Sequence, residues 1–335
     1  MTRLAPLAVS LGDPAGVGPE LLAQAWVQRE SERLPPFFAV GGARLLEQAA
    51  AMRGLVVPVR VVSSPAEAAA TFAYALPVLG GFDCDYDPGN PSHAGAEIAL
   101  NSLGQATQLA LAGEAGALVT GPVSKARLTE VGFDHPGQTE FVARACGYDP
   151  GDVVMLLAGP TLRTVPVTIH MALSAVPRLL SSALIERRGR VTAMAMIRDF
   201  GIATPRIAVA GLNPHAGEEG RMGDEEARII APAIAALVAE GIYATGPHPA
   251  DALFTPRARQ TYDVALCMYH DQALVPLKAL DFDSGVNLTL GLPIVRTSAD
   301  HGTAYAIAGK GLAHPGATLA AIRMAGECAA RRLGL

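Results

Sequence analysis

Short apolar runs alternate with longer helical stretches along this chain, and most of the runs are bounded by glycine, proline or polar residues. Such runs predict buried strands of a layered protein. The predicted strands are 4–11, 37–40, 56–62, 117–120, 153–158, 164–169, 206–210 and 264–269, with 153–158 and 164–169 forming a hairpin. The predicted helices are 44–52, 94–113, 225–240 and 317–333, and the proline-rich segment 246–251 is predicted to be a loop. This alternation is typical of an α/β architecture.

The richest run of candidate chemistry follows the predicted strand 264–269. That strand ends on His270 and Asp271, two groups that can bind a metal or move a proton. The polar groups beyond them lie in a stretch that we predict to be rich in loops. They are Lys278, Asn287, Arg296, Asp300-His301-Gly302-Thr303 and Gly309-Lys310-Gly311. Open α/β sheets place their ligand sites at the carboxyl ends of strands, so this stretch is the leading candidate for a site.

Three histidines share one sequence context. His170, His215 and His270 each lie just beyond a predicted buried strand. If those strands are parallel in one sheet, their ends meet at one edge, where three imidazoles could bind a divalent cation and leave positions open for a substrate. Imidazole ligands suit zinc or cobalt and do not exclude magnesium. The alternative interpretation is three unrelated loop histidines.

Each of three polar turns can be interpreted either as a structural feature or as part of a functional site. The glycine loop 12–20 matches neither the G-x-G-x-x-G nor the Walker A pattern; it is either a tight turn or the lining of a cleft with Asp13 facing a ligand. In GPVSK, Ser124 either caps a helix beside a solvated Lys125, or both residues contact an anion. Thr139 is either a helix N-cap or a substrate contact.

Composition narrows the class of protein. The chain has 335 residues, of which 50% are hydrophobic and 17% charged, so it can build a large core as two domains or two lobes. The net charge of −5 and the lack of a basic block argue against nucleic acid as a partner. No apolar run reaches the roughly 18 residues of a membrane span, and no signal peptide is recognisable. The four cysteines are scattered, which favours reduced thiols and a cytoplasmic location.

A series of motifs along the chain resembles the 4-hydroxythreonine-4-phosphate dehydrogenase family of vitamin B6 biosynthesis. The motifs, in order from about residue 12 to 311, are GDPAGVGPE, GPVSK, HPGQTE, GLNPHAGEEGRMGDEE, GPHPAD, YHDQALVPLK and GVNLTLGLPIVRTSADHGTAYAIAGKG. The last motif also resembles the loop with which isocitrate and isopropylmalate dehydrogenases hold the adenosine half of their nicotinamide cofactor. This second resemblance accounts for the lack of a Rossmann fingerprint.

The resemblance implies a fold and an assembly. The implied fold is the three-layer α/β/α architecture of isocitrate and isopropylmalate dehydrogenases, with two lobes and a cleft, and not a Rossmann dinucleotide fold. We expect a discontinuous domain of residues 1–130 plus 277–335, which contains the cofactor loop. We expect residues 131–276 to form a central domain with the metal ligands and the dimer interface. The partner is a second copy of the chain, in a homodimer with shared active sites.

The resemblance also implies roles for individual residues. The implied metal ligands, contributed by both subunits, are His170, His215 and His270. The implied substrate-binding residues are Gln138, Thr139, Lys278, Asn287 and Arg296. The residues implied to bind NAD or NADP are Asp300, His301, Gly302, Thr303, Gly309 and Gly311. The candidates for the general base are Asp271 and Asp251.

One position departs from the family pattern. The family usually has histidine before the threonine of the motif in which this chain has Gln138. Glutamine can donate and accept hydrogen bonds but cannot carry a charge. The resemblance therefore implies a substrate contact at Gln138, but the residue lacks the titratable group that an acid–base role would need.

The implied function is an oxidation that depends on NAD(P) and one divalent metal ion (zinc, cobalt or magnesium) per site. The enzyme would oxidise 4-phosphooxy-L-threonine at C3, and the product would then lose its carboxylate as CO₂ to give 3-amino-2-oxopropyl phosphate, in pyridoxal phosphate biosynthesis. An alternative is a related dehydrogenase that acts on a four-carbon sugar-acid phosphate, such as threonate or erythronate 4-phosphate. Two other classes are an acyl-phosphate transferase of the same fold superfamily and a ligand-binding protein without catalysis.

Overall fold

The computed structural model describes residues 4–335 as a mixed α/β protein that divides into two compact units. The first unit combines the chain up to Pro150 with Leu292–Leu335, and the second is Gly151–Gly291. The sequence likewise predicts an N-terminal and a C-terminal segment in one domain and a central segment in the other, with different boundaries.

The first unit contains a parallel sheet. Its strands are β1 (Leu7–Ser10), β2 (Phe37–Val40), β3 (Val59–Val62), β4 (Leu76–Leu79), β5 (Leu118–Thr120) and β12 (Arg296–Ala299). They lie in the order β3-β4-β2-β1-β5-β12, and every neighbouring pair is parallel. Its helices are α1 (Gly18–Val27), α2 (Ala43–Met52), α3 (Pro65–Thr71), α4 (His93–Leu111), α5 (Lys125–Glu130), α6 (Gln138–Ala145) and α12 (Gly316–Arg332). Strands β1, β2, β4 and β5 are buried along their whole length, as continuous apolar runs predict.

The second unit contains a mixed sheet. Its strands are β6 (Val154–Ala158), β7 (Arg163–Pro166), β8 (Ile207–Ala210), β9 (Ala244–His248), β10 (Val264–Cys267) and β11 (Val286–Leu290). In the order β11-β6-β7-β10-β8-β9, the first two pairs are antiparallel and the others parallel. Its helices are α7 (Val176–Leu179), α8 (Ser182–Arg198), a π-helix (Glu226–Ile230) that continues into α9 (Ala231–Ala239), α10 (Ala250–Leu253) and α11 (His270–Asp281). The predicted hairpin of 153–158 and 164–169 is confirmed as the antiparallel pair β6–β7.

The unit boundaries differ from the predicted residues 130 and 277 because two elements keep contacts across them. Helix α6 stays with the first unit, where the side-chain amide of Gln138 donates to the carbonyl of Gly121 at 3.1 Å. Strand β11 stays with the second unit, where it pairs with β6 over five residues. Lys278 and Asn287, which the prediction assigns to the domain of the cofactor loop, therefore lie in the second unit.

Two segments that the sequence predicts to be loops are regular structure. Residues 270–281 form α11, although Pro276 lies inside it, because Ala273 and Leu277 are buried against the core around Leu157 and Ala265. That burial offsets the missing hydrogen bond of the proline. Part of segment 246–251 belongs to β9, an edge strand, where glycine and proline are tolerated because one side makes no ladder. None of the helices in residues 4–335 combines the length and the apolar character that crossing a membrane requires.

Candidate active site

The three candidate histidines lie beyond the ends of neighbouring parallel strands. Strand β10 pairs in parallel with β7 on one side and with β8 on the other. His170 follows β7, His215 follows β8 and His270 follows β10, so all three lie at the same edge of the sheet. We call this group the histidine edge. The parallel arrangement that the metal hypothesis requires is thus confirmed.

Two of these histidines share a cavity. The ring centroids of His170 and His270 are 5.8 Å apart, and both residues line a cavity of about 400 Å³ together with Tyr269 and Asp271. The Nδ1 atom of His270 lies 2.7 Å from a carboxylate oxygen of Asp271. A carboxylate on one ring nitrogen orients the imidazole and makes its other nitrogen a better metal ligand.

His215 lines an adjoining cavity of about 330 Å³ instead, together with Asn213, Asp251, Tyr269 and Gln272. No group of three His, Cys, Asp or Glu side chains that could hold a metal ion occurs among residues 4–335 of a single chain. The structure therefore brings His170 and His270 together and does not place His215 with them. The implied sharing of ligands between two subunits stays a prediction.

The backbone of the candidate loops is unusual. Among residues 4–335, the non-glycine residues with positive φ are Arg33, His170, His215, Ala216, Glu218, Glu219 and Ala304. All of them except Arg33 lie in the two histidine loops or in the predicted cofactor loop. Each costs about 1 kcal/mol or more for an L-residue, so surrounding contacts must hold these loops in place. Strain of this kind is concentrated at functional sites in proteins.

The donor set of the histidine edge fits a divalent cation of borderline softness. It offers imidazoles that face a common cavity, one of which is hydrogen-bonded to a carboxylate. Zinc and cobalt prefer such nitrogen ligands, and the exposed side of the cavity leaves room for substrate atoms.

A buried cation forms the main feature of the first unit. Arg296, on β12, is 3% exposed, and its guanidinium donates to the hydroxyl of Thr139 at 3.1 Å and to that of Thr120 at 2.8 Å. Burial lowers the pKa of Arg296 to about 10, against the opposing effect of the Glu140 carboxylate, so the side chain stays a cation at neutral pH. We call Arg296, Thr120, Thr139 and Glu140 the arginine pocket.

Helix α6 starts in this pocket. Its N-cap is Gly137, which has no side chain with which to cap the first turn. Thr139 is therefore not the N-cap, and its hydroxyl contacts Arg296 instead. The N–H groups of a helix start next to a cation suit an anionic ligand. The Oε1 atom of Gln138 has no hydrogen-bond partner among the described residues, while its Nε2 is bonded to Gly121.

Ser124 occupies the N-cap position of α5, as one of the two interpretations has it, but its side chain makes no capping hydrogen bond. Lys125 lies beside the start of α6: a methyl group placed on Gly137 would be 3.6 Å from its ammonium nitrogen. This position keeps the alternative of an anion contact for Lys125 open.

Residues 300–311, which we call the cofactor loop, are held by the N-terminal part of the same unit. The carbonyl of Thr303 accepts from the N–H of Val17 at 3.0 Å, and the hydroxyl of Tyr305 donates to the carboxylate of Asp13 at 2.5 Å. Burial raises the pKa of Tyr305 to about 12, and the hydrogen bond to Asp13 adds to the rise. Asp13 thus contacts the cofactor loop, and a ligand contact of the glycine loop stays a prediction.

The end of the cofactor loop has its own support. Arg53 donates to the carbonyl of Ala313 at 2.7 Å and forms a buried ion pair with Glu20 at 3.3 Å. Burial raises the pKa of Glu20, against the effect of Arg53. A side chain at Gly309, where φ is +71°, would collide with Pro88, so this glycine is required by packing. Side chains added at Gly302 or Gly311 would meet no atom within 4 Å.

The other predicted substrate residues lie in the second unit. Lys278 is on α11 and Asn287 is on β11, and the Oδ1 atom of Asn287 is buried without a hydrogen-bond partner among the described residues. Arg296 belongs to the first unit, so the predicted substrate residues are divided between the two.

Sequence reasoning missed several residues that the structure connects to the site. They are Thr120, Glu140, Tyr305, Glu20, Arg53 and Glu226. A signal existed for Thr120, a polar residue at the end of a buried strand directly before GPVSK. No local signal marks Arg53 or Glu20, because their partners are distant in the sequence.

Imidazoles at the ends of parallel strands, a buried arginine and a fixed glycine-rich loop together describe an α/β enzyme. A family model described as "Pyridoxal phosphate biosynthetic protein PdxA" matches residues 33–325. The 4-hydroxythreonine-4-phosphate dehydrogenase of Erythrobacter litoralis (strain HTCC2594) is 61% identical over 327 residues, which cover 98% of this chain and 97% of that protein. The protein of the same name from Zymomonas mobilis is 53% identical over 328 residues, with coverage of 98% and 96%.

A solved structure agrees with these relatives. The crystal structure of the 4-hydroxythreonine-4-phosphate dehydrogenase of Klebsiella pneumoniae has a TM-score of 0.86 and 37% identity, and the match covers 98% of this chain and 99% of that one. The chain therefore belongs to the PdxA family of pyridoxal phosphate biosynthesis. The family resemblance that the motifs indicate is confirmed.

Proposed function

We propose that this chain oxidises 4-phosphooxy-L-threonine at C3 with NAD or NADP and a divalent cation, and that the product decarboxylates to 3-amino-2-oxopropyl phosphate. The substrate is the one in the names of its relatives, which match nearly the whole chain. The observation that carries the proposal is the pair His170 and His270, 5.8 Å apart in one cavity at the ends of parallel strands. This is a fitting place for an ion that activates an alcohol.

His170, His215 and His270 would hold the cation, with ligands contributed by two subunits of a homodimer. When bound, the cation (zinc, cobalt or magnesium) would lower the pKa of the substrate hydroxyl by Lewis-acid polarisation. Asp271 would orient the ring of His270 through its 2.7 Å hydrogen bond. The homodimer and its cytoplasmic location are part of the same proposal.

Binding of the substrate anions is assigned to the cationic and amide side chains among the predicted residues. Arg296 would bind phosphate or carboxylate, because a buried guanidinium beside Thr139, in the first turn of α6, favours an anion. Lys278 and Asn287 would bind the other polar groups of the substrate. Gln138 would accept or donate a hydrogen bond without changing charge.

Proton transfer needs a carboxylate at the histidine edge. Asp271 is already hydrogen-bonded to His270, whereas Asp251 lines the cavity of His215. We therefore assign the general base to Asp251, and Asp271 to the orientation of the metal ligand. An Asp251→Asn variant should lose turnover while it keeps its metal affinity.

The cofactor loop would bind the nicotinamide nucleotide through residues Asp300, His301, Gly302, Thr303, Gly309 and Gly311. When bound, the nicotinamide accepts the hydride from C3. The chain contributes a loop whose position is already held by Asp13, Val17 and Arg53. A held loop loses less conformational freedom on binding, which favours affinity.

A four-carbon sugar-acid phosphate is a second candidate substrate. Gln138 stands where the family usually has histidine, and its Oε1 has no hydrogen-bond partner among the described residues. An amide tolerates a hydroxyl as well as an amino group on the substrate. Threonate and erythronate 4-phosphate therefore belong in the assay.

The proposal is tested by following the absorbance of reduced nicotinamide with each candidate acid, with NAD and with NADP. We expect turnover of 4-phosphooxy-L-threonine that is lost after chelation and restored by zinc, cobalt or magnesium. Turnover of only the sugar-acid phosphates would mean that one of them, and not 4-phosphooxy-L-threonine, is the substrate. Full activity after exhaustive chelation would refute the metal role. No turnover of any phosphorylated acid would refute the dehydrogenase function itself.

A further inference from the structure

The segment that carries His215 has a backbone that local preferences cannot maintain. Residues 215–219 have φ values of 53°, 52°, 81°, 43° and 58°, so five successive residues are left-handed. Only Gly217 among them is a glycine. L-residues visit this region singly and avoid continuous runs. Contacts from outside the segment must therefore hold it.

Glu226 bonds the residues that lead into this segment. This residue is 5% exposed and opens the π-helix Glu226–Ile230. Its Oε1 atom accepts from the N–H groups of Leu212 at 2.8 Å and Asn213 at 2.7 Å. Its Oε2 atom accepts from the side-chain amide of Asn213 at 3.0 Å. One buried carboxylate thus binds the chain immediately before His215.

The turn also packs around this carboxylate. A methyl group on Gly217 would lie 2.6 Å from the Oε2 atom of Glu226, and one on Gly211 would lie 3.2 Å from Oε1. Glu225 bonds the amide of Asn213 at 2.8 Å from the other side. π-Helical turns are frequent at functional sites, where they redirect side chains. The residues from Gly211 to Gly217 therefore enclose the carboxylate of Glu226.

We propose that Glu226 is a positioning residue, whose buried carboxylate holds the turn 211–217 in the conformation that presents His215 to a divalent cation. This inference rests on the metal-binding role of His215 in the proposed function. Charge-assisted hydrogen bonds to two backbone N–H groups are stronger than those of a neutral group, so the negative charge matters. Glu226 itself touches neither substrate nor metal.

The test compares Glu226→Gln with the wild-type protein. Metal-stripped proteins are titrated with Co²⁺, and binding is followed by calorimetry and by the d–d absorption of the bound ion. Hydrogen exchange of residues 211–222 is measured without metal. We expect Co²⁺ affinity to fall by about 10- to 100-fold, as for other residues that orient a metal ligand. We also expect a changed absorption spectrum and faster exchange of the turn.

A matched control separates positioning from stability. Asp281 lies in the same unit, is 6% exposed and accepts from the backbone N–H of Thr161 at 3.0 Å and from its hydroxyl at 2.9 Å. Asp281→Asn removes a comparable buried charge away from the His215 turn. We expect it to lower the melting temperature without changing Co²⁺ affinity. An equal loss of affinity in both variants would mean general destabilisation and would overturn the inference.

A second variant leaves Glu226 in place. Gly217→Ala introduces a methyl group at a left-handed position against the Glu226 carboxylate, and we expect it to weaken Co²⁺ binding in the same way. Unchanged Co²⁺ affinity in Glu226→Gln would overturn this inference and leave the proposed metal role standing. If Glu226→Gln does not fold, unchanged Co²⁺ affinity in Gly217→Ala would have the same meaning. A wild-type protein that binds no Co²⁺ would refute the proposed metal role and this inference with it.

Discussion

The arginine pocket and the histidine edge are prepared for ligands in different ways. In the pocket, Arg296 is 3% exposed and is fixed by the hydroxyls of Thr120 and Thr139. At the edge, the His270 side chain is 38% exposed, and the backbone at His170 and His215 is left-handed. The arginine pocket is thus characterised by a buried charged side chain, and the histidine edge by an unusual backbone conformation at its histidines.

This difference has a physical consequence. A buried cation is costly to desolvate and needs hydrogen-bond partners, so the guanidinium of Arg296 is held in one position before any ligand binds. A strained loop with exposed imidazoles keeps its rings available, and a metal ion can hold them in place. Substitutions in the pocket should therefore change mainly ligand affinity, and substitutions at the edge should change mainly chemistry.

The largest expected effect is at the histidine edge. His270→Ala should lower turnover by on the order of 10³-fold, because Lewis-acid stabilisation contributes several kcal/mol to the transition state. The loss should be accompanied by weaker Co²⁺ binding in a titration of the metal-stripped protein. His93→Ala, which removes an exposed histidine next to Glu97, is the control and should leave both unchanged. Wild-type turnover in His270→Ala would remove this region from the active site.

The next effect tests whether the pocket binds an anion. Arg296→Met should lower kcat/KM by about 10²-fold, mainly through KM, because it removes a buried, hydrogen-bonded charge from the proposed substrate site. The melting temperature should stay equal or rise, since an apolar side chain replaces a buried cation. Arg127→Met, which affects an exposed pair with Glu130, serves as the comparison. A large loss of stability with unchanged KM would make Arg296 a structural residue.

A smaller effect concerns the cofactor loop. Tyr305→Phe should raise the KM for the nicotinamide nucleotide by about fivefold, because it removes the hydroxyl that bonds the Asp13 carboxylate, and one such bond contributes about 1 kcal/mol. The KM for the phosphorylated acid should not change. Tyr148→Phe, at an exposed tyrosine, provides the control. Equal effects on both KM values would contradict a specific role in holding the loop.

Tyr305→Phe should also change how the free energy of unfolding depends on pH. The pKa of Tyr305 is raised from its ordinary 10 to about 12 in the folded protein, so the folded state favours the protonated hydroxyl. Its contribution to the free energy of unfolding is therefore complete below pH 10 and is lost as the pH rises towards 12. Urea unfolding at several pH values should show the difference between wild type and Tyr305→Phe shrinking across this range. A difference that stays constant would contradict the assignment.

The smallest effect is expected for Gln138→His. The imidazole should change KM only a few-fold, since the position keeps a hydrogen-bonding group. It should add an ionisation near pH 6.5 to the pH profile of kcat/KM, because histidine titrates there and glutamine does not. An unchanged profile would place residue 138 outside the substrate site.

Much of the fold follows from local pattern, and the exceptions have physical causes. The run Phe37–Val40 is a strand as predicted, because an apolar run of this length between Pro36 and Gly41 fits a buried strand and is too short for a helix. Helix α11 was not predicted, because Pro276 is a helix breaker unless the surrounding helix is buried. Of the two interpretations of Thr139, the N-cap is wrong because α6 already begins at Gln138, and the hydroxyl of Thr139 contacts Arg296, a residue far along the chain.

The sequence by itself determined eight of the twelve strands in residues 4–335, and that His170, His215 and His270 each follow one of them, because an apolar run and its end are local properties of the chain. Its motif series also identified the family. Only the tertiary structure decided that His170 and His270 share a cavity while His215 lines another, and that Glu226 supports the turn of His215. These relations depend on strand order and on contacts between distant residues, which local sequence pattern does not encode.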